Sequence, residues 1–493
     1  MFVSANEWIS RAPAAPPGPA ALAVPGGTLA GFYKRLMAAE PAGQAGDEAA
    51  SFLDKKIAET NGLPCDLPTR PQDLTAWMHE SSQRATAAYS QYLEERKAGA
   101  PRRYFSNRAH ALYFLRSVAP TKLVDGAWLY GLLKHWRNPR FLDLLHTYVE
   151  ELGEGAAGKN HVLLYRQLLA RYGLGPLENL EDSLYTQGVI QLALACQADN
   201  YLPEVIGFNL GYEQLPLHLL VTACELDELG LDPYYFTLHV TVDNPDTGHA
   251  KRAVQAVLDN LPQLGDADAF WRRVRQGYQL SNAGIGSTAV IQGFDIEGEV
   301  VRILSHKSIA GQGAHSDYCR IAGRHVNDWL ARKEDIPGFL TALQQAGWIR
   351  RGAPAAQSRF WNLLQGPRAE MFGVFSPYEL QLIHDWIRGE ASQDGQAFTE
   401  APGEPGAPRR PGFRVAARLA AQRGDPASGA LVDAGGPGDG LLDSDLQALT
   451  RQLPGLDDAG KIDLLVRAMS PSMHWTPAGL HATRLFGAAL QGS

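Results

Sequence analysis

Three kinds of pattern are absent from this 493-residue sequence, and each absence excludes a class of protein. The cysteines are scattered without a CxxC pair, which argues against a disulfide framework, a thiolate zinc site and an iron–sulfur cluster. No run approaches the roughly 20 uncharged apolar residues that a membrane-spanning helix needs. The formal net charge of -8 gives no basic surface for nucleic acid or an anionic membrane. Any metal must therefore be held by carboxylates and by some of the 14 histidines.

The first residues, MFVSANEWIS, lack the basic segment and the apolar run of a secretory signal. Together with the absence of long hydrophobic runs, this predicts a soluble, cytoplasmic protein. Neither nucleic acid nor a membrane is expected as a partner.

Composition and hydrophobic periodicity favour an all-α fold and divide the chain into six segments. The largest core is expected in the third segment, which is the most apolar and continuous part. The segments are an extended Pro/Ala-rich lead-in (1–27), an N-terminal helical region (28–103), the central domain (104–285), a C-terminal helical region (286–393), a Gly/Pro-rich linker (394–440) and a final helical segment (441–493).

Two local patterns make structural predictions outside the central domain. Residues 286–295 are the one place where a strand is plausible. At the segment FSPYELQLIHDWI, Ser376 can cap a helix, Pro377 suits its first turn and Glu379 completes a capping box. This pattern predicts a helix that begins next to Ser376.

The most informative stretch, residues 203–254, carries two histidines and two aspartates within eleven positions. These residues are His239, Asp243, Asp246 and His249. On a regular helix the first three lie within about 60° of one another, so they share a face. His249 leaves that face unless the helix is distorted, and Pro245 and Gly248 are the residues that could distort it. The alternative is a capped helix start with exposed histidines.

Two glutamates upstream, on one predicted helix, are alternative candidates for a further metal ligand. Glu204 lies just inside the start of this run on a mostly apolar face, where a carboxylate either complements the helix dipole or points inward at a cation. Glu213 lies about 180° around the helix, so the two cannot serve one site on a regular helix. Position alone leaves them comparable.

A third segment places a glycine-rich break between a glutamate pair and a histidine. Helical periodicity runs into Glu150 and Glu151, is interrupted by glycines, and resumes at His161. Such a break lets a glutamate and a histidine converge, although an ordinary helix–turn–helix with solvated glutamates is the alternative. Carboxylates and imidazoles from three helices are typical of bundles that bind carboxylate-bridged iron or manganese pairs. Ligation without thiolate fits these metals, and zinc is also compatible.

Roughly residues 120–255 resemble the iron-containing redox enzymes, also called heme-oxygenase-like diiron oxidases. The resemblance rests on VDGAWL (124–129), on EELGEG followed by NH and LY, on PE-x-x-G, and on Y-x-x-x-H with D-x-x-x-x-GHA. It implies a heme-oxygenase-like helical bundle with further helical regions on both sides. Carried over position by position, it implies these metal ligands: Glu151, His161, Glu204, His239, Asp243 and His249.

The sixth ligand departs from the family pattern, in which a second histidine follows the aspartate by three residues. Here Asp246 occupies that place and His249 comes three residues later. We assign His249, because its GHA is part of the resemblance, and keep Asp246 and Glu213 as alternatives.

The resemblance implies two iron ions per chain, O2 as cosubstrate and a small-molecule substrate. The expected reaction is N-oxygenation or oxidative cleavage of an amine or amino acid, in specialised metabolism. The alternatives are oxidation or decarboxylation of an aliphatic acid, and a non-catalytic metal- or heme-binding module. For the last, Gly207 and Gly211 offer the close backbone approach that a heme-binding helix uses. An external electron donor and a homodimer are both compatible with the sequence, which identifies no catalytic or substrate-binding residue.

Overall fold

A computed structural model confirms the predicted all-α class: the part of the chain that it describes is mostly helical. The described residues are 27–38, 44–177, 179–242, 248–311, 313, 315, 318–365, 369–389 and 443–491. Within them, the one β-ladder is a two-residue antiparallel pair of strands, β1 (Arg320–Ile321) and β2 (Arg324–His325). None of the described helices combines the length and the apolar character that crossing a membrane requires.

The helices are numbered in chain order. The N-terminal region contains α1 (Leu29–Ala38), α2 (Gln44–Thr60) and α3 (Leu74–Lys97). The central domain contains α4 (Arg108–Ser117), α5 (Ala119–Lys122), α6 (Leu142–Glu151), α7 (His161–Arg171), α8 (Thr186–Cys196), α9 (Leu202–Tyr212), α10 (Leu217–Glu228), α11 (Tyr234–Val242), α12 (His249–Asn260) and α13 (Ala267–Leu280). The helices after it are α14 (Ser287–Gln292), α15 (Ile296–Gly311), α16 (Val326–Leu330), α17 (Ile336–Gln345), α18 (Arg359–Leu364), α19 (Pro377–Arg388), α20 (Ser444–Gln452), α21 (Asp458–Ala468) and α22 (Pro477–Gln491).

Short 3-10 helices join several of these elements. They lie at Pro71–Asp73, Ala127–His135, Pro139–Phe141, Gly153–Gly155, Asp182–Tyr185, Lys333–Asp335, Ala355–Gln357 and Leu453–Gly455.

The two local predictions outside the central domain have opposite outcomes. The strand considered at 286–295 is wrong, because these residues form α14, which buries Val290 and Ile291. A short apolar run cannot be assigned to helix or strand by periodicity alone. The capping box is confirmed: Ser376 Oγ accepts from the Glu379 N–H at 3.3 Å, and Glu379 Oε2 accepts from the Ser376 N–H at 2.7 Å.

Two hydrophobic cores run through the described residues, and the central domain contributes to both. One core joins α1–α3 to residues 124–152, which include α6, to α8, α9, α12 and α13, and to α20–α22. The other joins α4, α7, α10 and α11 to the helices from α14 to α19. The flanking regions therefore pack onto the central domain, and the boundaries at residues 103 and 285 stay predictions.

Glycines allow α9 and α13 to pack in close contact. A Cβ atom at Gly207 would lie 1.9 Å from the Val274 carbonyl oxygen, and one at Gly277 would lie 2.1 Å from the Glu204 carbonyl oxygen. A Cβ at Gly211 would meet Ser281 Oγ at 2.5 Å. The glycine face of α9 is thus covered by α13, which leaves no space there for a heme and removes the sequence argument for a heme-binding helix.

Candidate metal centre

Two groups of buried histidine and carboxylate side chains share one residue, Glu151. The first group consists of Asp125, Glu151, His161 and His239, and the second consists of Glu151, Glu213 and His249. Within each group, one potential ligand atom per residue lies within 4.8 Å of the others. None of the six side chains is more than 7% exposed. Buried charged groups of this density require partners or a bound cation.

Glu151 ends α6 and directs its two carboxylate oxygens toward different groups. Oε2 lies 2.5 Å from His161 Nδ1, and Oε1 lies 3.3 Å from His249 Nδ1. Burial tends to raise the pKa of Glu151, but His161 and His249 outweigh burial and hold the pKa well below its usual range. This carboxylate is therefore placed to bridge two cations.

A tight loop brings the end of α6 to the start of α7. Gly153, Glu154 and Gly155 all have left-handed backbone conformations, with φ values of 65°, 54° and 79°. Asn160 then caps α7 by accepting from the Leu163 N–H at 2.9 Å. The glycine-rich break therefore lets Glu151 and the first residue of α7, His161, converge.

Asp125 enters the first group from the turn between α5 and the next 3-10 helix. Its Oδ2 accepts a hydrogen bond from Tyr235 Oη and lies 3.1 Å from His239 Nε2. Lys122 Nζ lies 3.9 Å from the same oxygen. Burial tends to raise the pKa of Asp125, but Lys122 and then His239 outweigh it, so the pKa is lowered and the carboxylate stays ionised.

His239 is oriented by its own helix. Its Nδ1 lies 2.8 Å from the carbonyl oxygen of Tyr235, one turn earlier on α11. A carbonyl oxygen can only accept, so Nδ1 carries the hydrogen and the lone pair of the neutral ring is on Nε2. That nitrogen faces Asp125, and the ring lies next to the His161 ring, tilted by 44° with a centroid distance of 4.3 Å. A backbone carbonyl in this position is a common device for orienting a metal-binding imidazole.

The second group forms where α9 ends and α12 begins. His249 Nδ1 lies 3.0 Å from Glu213 Oε2, and His249 Nε2 lies 2.9 Å from Glu150 Oε2. Arg252 Nη1 pairs with the other Glu150 oxygen at 2.7 Å. Although burial raises it, the pKa of Glu150 is lowered by its hydrogen bonds to His249 and Arg252.

The structure brings together four of the six residues that the sequence predicted as ligands. Glu151, His161, His239 and His249 all belong to the two groups. His239 and His249 lie on separate helices, because α11 ends at Val242 and α12 begins at His249. Asp243 and the alternative Asp246 lie outside the described residues.

Glu204 is a correction, because the structure does not bring it to either group. Its two carboxylate oxygens pair with Arg273 Nε and Nη2 at 2.6 and 2.7 Å. Glu204 lies in the first turn of α9 and Glu213 follows the last turn, so they serve opposite ends of the helix. The alternative named from the sequence, Glu213, is the glutamate that reaches the second group.

The sequence reasoning missed Asp125 as a site residue, and it noted Glu150 without assigning it a role. Asp125 lies inside VDGAWL, one of the motifs that carry the resemblance. The residue after it, Gly126, must be glycine for two reasons. Gly126 has a φ of 78°, and a Cβ there would lie 3.0 Å from Glu151 Cβ. Of the tyrosines near the motifs, Tyr235 contacts Asp125, whereas Tyr212 donates to Gln187 Oε1 at 2.9 Å.

The donor atoms fit a metal ion. His161 Nδ1 lies 2.5 Å from Glu151 Oε2 without forming a hydrogen bond to any described residue. A buried ring nitrogen and a carboxylate oxygen that lie this close without hydrogen-bond geometry are placed as two ligands of one cation would be. The donors are nitrogen and oxygen, and no cysteine belongs to either group. This set favours iron or manganese over metals that prefer thiolate.

Comparison with known families identifies the central domain. Residues 112–282 match the family of iron-containing redox enzymes. All members of both ligand groups lie inside the matched range. No curated protein and no solved structure shows a significant match to the chain. The predicted resemblance and fold class are thus confirmed: a heme-oxygenase-like domain lies in the middle of a mostly helical chain.

Proposed function

We propose that this protein is a non-heme diiron oxidase that uses O2 to oxidise a small metabolite, an amine or an amino acid. The observation that carries the proposal is the position of Glu151, whose two oxygens face two different groups of nitrogen and oxygen donors. Carboxylate-bridged iron pairs in helical bundles are built in this way. The match to a family of iron-containing redox enzymes supports iron as the metal.

In this proposal each group holds one iron ion and Glu151 belongs to both. Asp125, His161 and His239 complete the first site, and Glu213 and His249 contribute to the second. Asp243 stays a proposed ligand from the sequence. When bound, the iron pair supplies the electrons that activate O2 for oxidation of the substrate.

The surrounding side chains hold protons and exclude water. Burial first, and then Asp125, raise the pKa of Tyr235 well above its usual value, so Tyr235 keeps its proton and donates it in a hydrogen bond to Asp125. Tyr165 packs edge-on against the Tyr235 ring, with a centroid distance of 4.7 Å. Tyr165 is itself buried and donates to the Leu115 carbonyl at 2.6 Å. These contacts fix Asp125 and keep the first site dry.

Lys122 supports a substrate that carries a carboxylate. Its side chain is 16% exposed, and Asp125, at 3.9 Å, is the only carboxylate within 4.0 Å of its ammonium among the described residues. Nearby His218 stays neutral, because burial and then Lys122 lower its pKa to about 4. A cation at the edge of the site can pair with an anionic group of the substrate. This feature favours an amino acid over a simple amine, and it is also compatible with the aliphatic-acid alternative.

The proposal is tested by anaerobic reconstitution with Fe2+, followed by O2-consumption assays with amino acids, amines and aliphatic acids. We expect two iron ions per chain and O2 uptake that depends on the correct substrate. His239→Ala should lose iron at the first site, whereas His135→Ala should retain it, because His135 pairs with Asp199 on the surface. A wild-type protein that binds no iron, or one with a stable heme absorption band, would contradict the proposal.

Lys122→Met separates the substrate classes. If Lys122 pairs with a substrate carboxylate, this variant should show a raised KM for carboxylate-bearing substrates and an unchanged KM for amines. An equal loss of kcat for every substrate, with KM unchanged, would show that Lys122 acts on the metal centre and not on the substrate.

A further inference from the structure

The last C-terminal helix, α22, packs against α6, the helix that ends at Glu151. Ala482 and Phe486 of α22 belong to the same core as Tyr148 and Leu152, which flank Glu151 along the chain. Tyr148 Oη also donates to the Met469 carbonyl oxygen at 2.7 Å. This segment lies far outside residues 112–282, so its contacts with the metal centre are not part of the family match.

The C-terminal segment touches the backbone of the loop between the ligands. We call residues 152–160 the ligand loop, because they connect Glu151 to His161. Arg484 Nη1 donates to the Gly155 carbonyl oxygen at 2.7 Å. A Cβ at Gly155 would lie 2.3 Å from the Leu480 carbonyl oxygen. The turn of the ligand loop is therefore seated directly on α22.

A buried histidine contacts the residue that ends the ligand loop. The side-chain amide of Asn160 donates to the Leu152 carbonyl oxygen at 3.2 Å and also lies 3.2 Å from His474 Nδ1 and 3.3 Å from the His474 carbonyl oxygen. His474 is 2% exposed. Burial, and then the charge of Arg166, lower its pKa to about 3, so the ring is neutral and Nδ1 can accept. Asn160 thus joins both ends of the ligand loop to the C-terminal segment.

A fourth contact reaches the helix that begins with His161. The guanidinium of Arg166 lies 3.7 Å from the centroid of the Trp475 ring, next to His474. Cation–π contacts of this kind are attractive, so this pair ties α7 to the C-terminal segment. The segment from Met469 to Arg484 therefore contacts α6, the ligand loop and α7.

The backbone of the ligand loop explains why such support is needed. Glu154 is a non-glycine residue in a left-handed conformation, which is unfavourable for residues with a Cβ atom. Strained residues persist only where the surrounding structure over-determines them. Relaxation of the loop would change the distance between Glu151 and His161, because the loop joins these two residues along the chain.

We propose that residues 469–484 are a positioning element of the metal centre, in which His474 acts through Asn160, and Arg484 through Gly155, to hold Glu151 and His161 together. The inference rests on the proposed metal centre. It gives a function to the C-terminal segment, for which the sequence alone indicates only helical structure.

The test is an anaerobic Fe2+ titration of full-length variants, which needs no substrate. His474→Leu removes the acceptor and retains an apolar side chain of similar size, and we expect about 10-fold weaker Fe2+ binding, the low end for residues that support metal ligands. His474→Asn places an amide oxygen near the position of Nδ1 and should restore binding. Arg484→Met should also weaken binding, and because Arg484 is exposed this variant should fold.

Leu465→Ala is the matched control, because it removes a buried apolar side chain from α21 within the same segment. It should lower the melting temperature while leaving Fe2+ affinity within about 2-fold of wild type. Wild-type Fe2+ affinity in both His474→Leu and Arg484→Met would overturn this inference and leave the proposed function intact. An equal loss of Fe2+ affinity in Leu465→Ala would also overturn it, because the loss would then result from lowered stability of the fold. A wild-type chain that binds no Fe2+ would instead overturn the proposed function.

Discussion

The assignment of ligands to α9 is the sharpest point to test, because Glu204 and Glu213 are at opposite ends of one helix. Glu213 lies against His249 in the second ligand group, whereas Glu204 pairs with Arg273. Replacing each by glutamine removes one negative charge and changes side-chain volume little. The two variants should therefore fail in different ways: Glu213→Gln in metal binding, and Glu204→Gln in stability.

The expected magnitudes follow from the surroundings of each carboxylate. A unit charge about 4 Å away contributes about 4 kcal/mol at an effective dielectric constant of 20. Loss of the Glu213 charge should therefore weaken binding of the second iron ion on the order of 1000-fold. Arg273 is 41% exposed and also donates to the Asn200 carbonyl at 2.7 Å, so solvent screens its pair with Glu204. Glu204→Gln should then cost only about 1–2 kcal/mol of unfolding free energy.

The assay combines iron analysis with unfolding. Iron per chain is measured after anaerobic reconstitution and desalting, and urea unfolding is measured on metal-free protein. We expect Glu213→Gln to keep about one iron per chain with a small change in urea midpoint, and Glu204→Gln to keep both irons with a lowered midpoint. The reasoning would be refuted if Glu204→Gln lost an iron while Glu213→Gln kept both, because the ligand assignment from the sequence would then be correct.

Three further predictions concern the site and the fold. Gly126→Ala should lower both the stability of the fold and its Fe2+ affinity, because the new Cβ would lie 3.0 Å from Glu151 Cβ. The control is Gly99→Ala: Gly99 has a φ of 94° with open space around it, so this variant should lower stability only. Ser376→Ala should cost about 1 kcal/mol of unfolding free energy through loss of the capping box and leave iron content unchanged, as urea unfolding and iron analysis would show. Fe2+ at about 100 times its dissociation constant should stabilise the folded chain by about 2.7 kcal/mol for each occupied site, read as a raised melting temperature, so His239→Ala, which keeps only the second site, should be stabilised less than wild type.

The fold class and the ligand-bearing region followed from patterns that depend on local chemistry. Helical periodicity and the Ser376 capping box are properties of a few neighbouring residues, and both are confirmed. The glycine-rich break was recognised because glycine permits the left-handed turn that joins Glu151 to His161. The short apolar run that became α14 was ambiguous, since helix and strand both bury adjacent valine and isoleucine side chains.

What could not be predicted depends on contacts between distant residues. Asp125 was missed because its partners, Tyr235 and His239, lie more than 100 positions away along the chain. The C-terminal segment carries no ligand residue, so nothing in its own sequence reveals that His474 contacts Asn160. Helical periodicity assigns a face to each residue, but it cannot state which other helix covers that face.

The choice between Glu204 and Glu213 depends on which cation faces each buried carboxylate, and the sequence does not show this. A buried carboxylate needs a cation. Glu204 has Arg273, supplied by α13 across the glycine contact; this pair offsets part of the effect of burial, which still raises the pKa of Glu204 above its usual value. Asp125, Glu151 and Glu213 lie together with histidines, while Arg252 is already paired with Glu150. A ring nitrogen that binds a metal cannot also carry a proton, so iron must displace any proton held by the histidine nitrogens that bind it. Iron binding should therefore release protons and weaken as the pH falls, a result that a cluster serving only structure would not give.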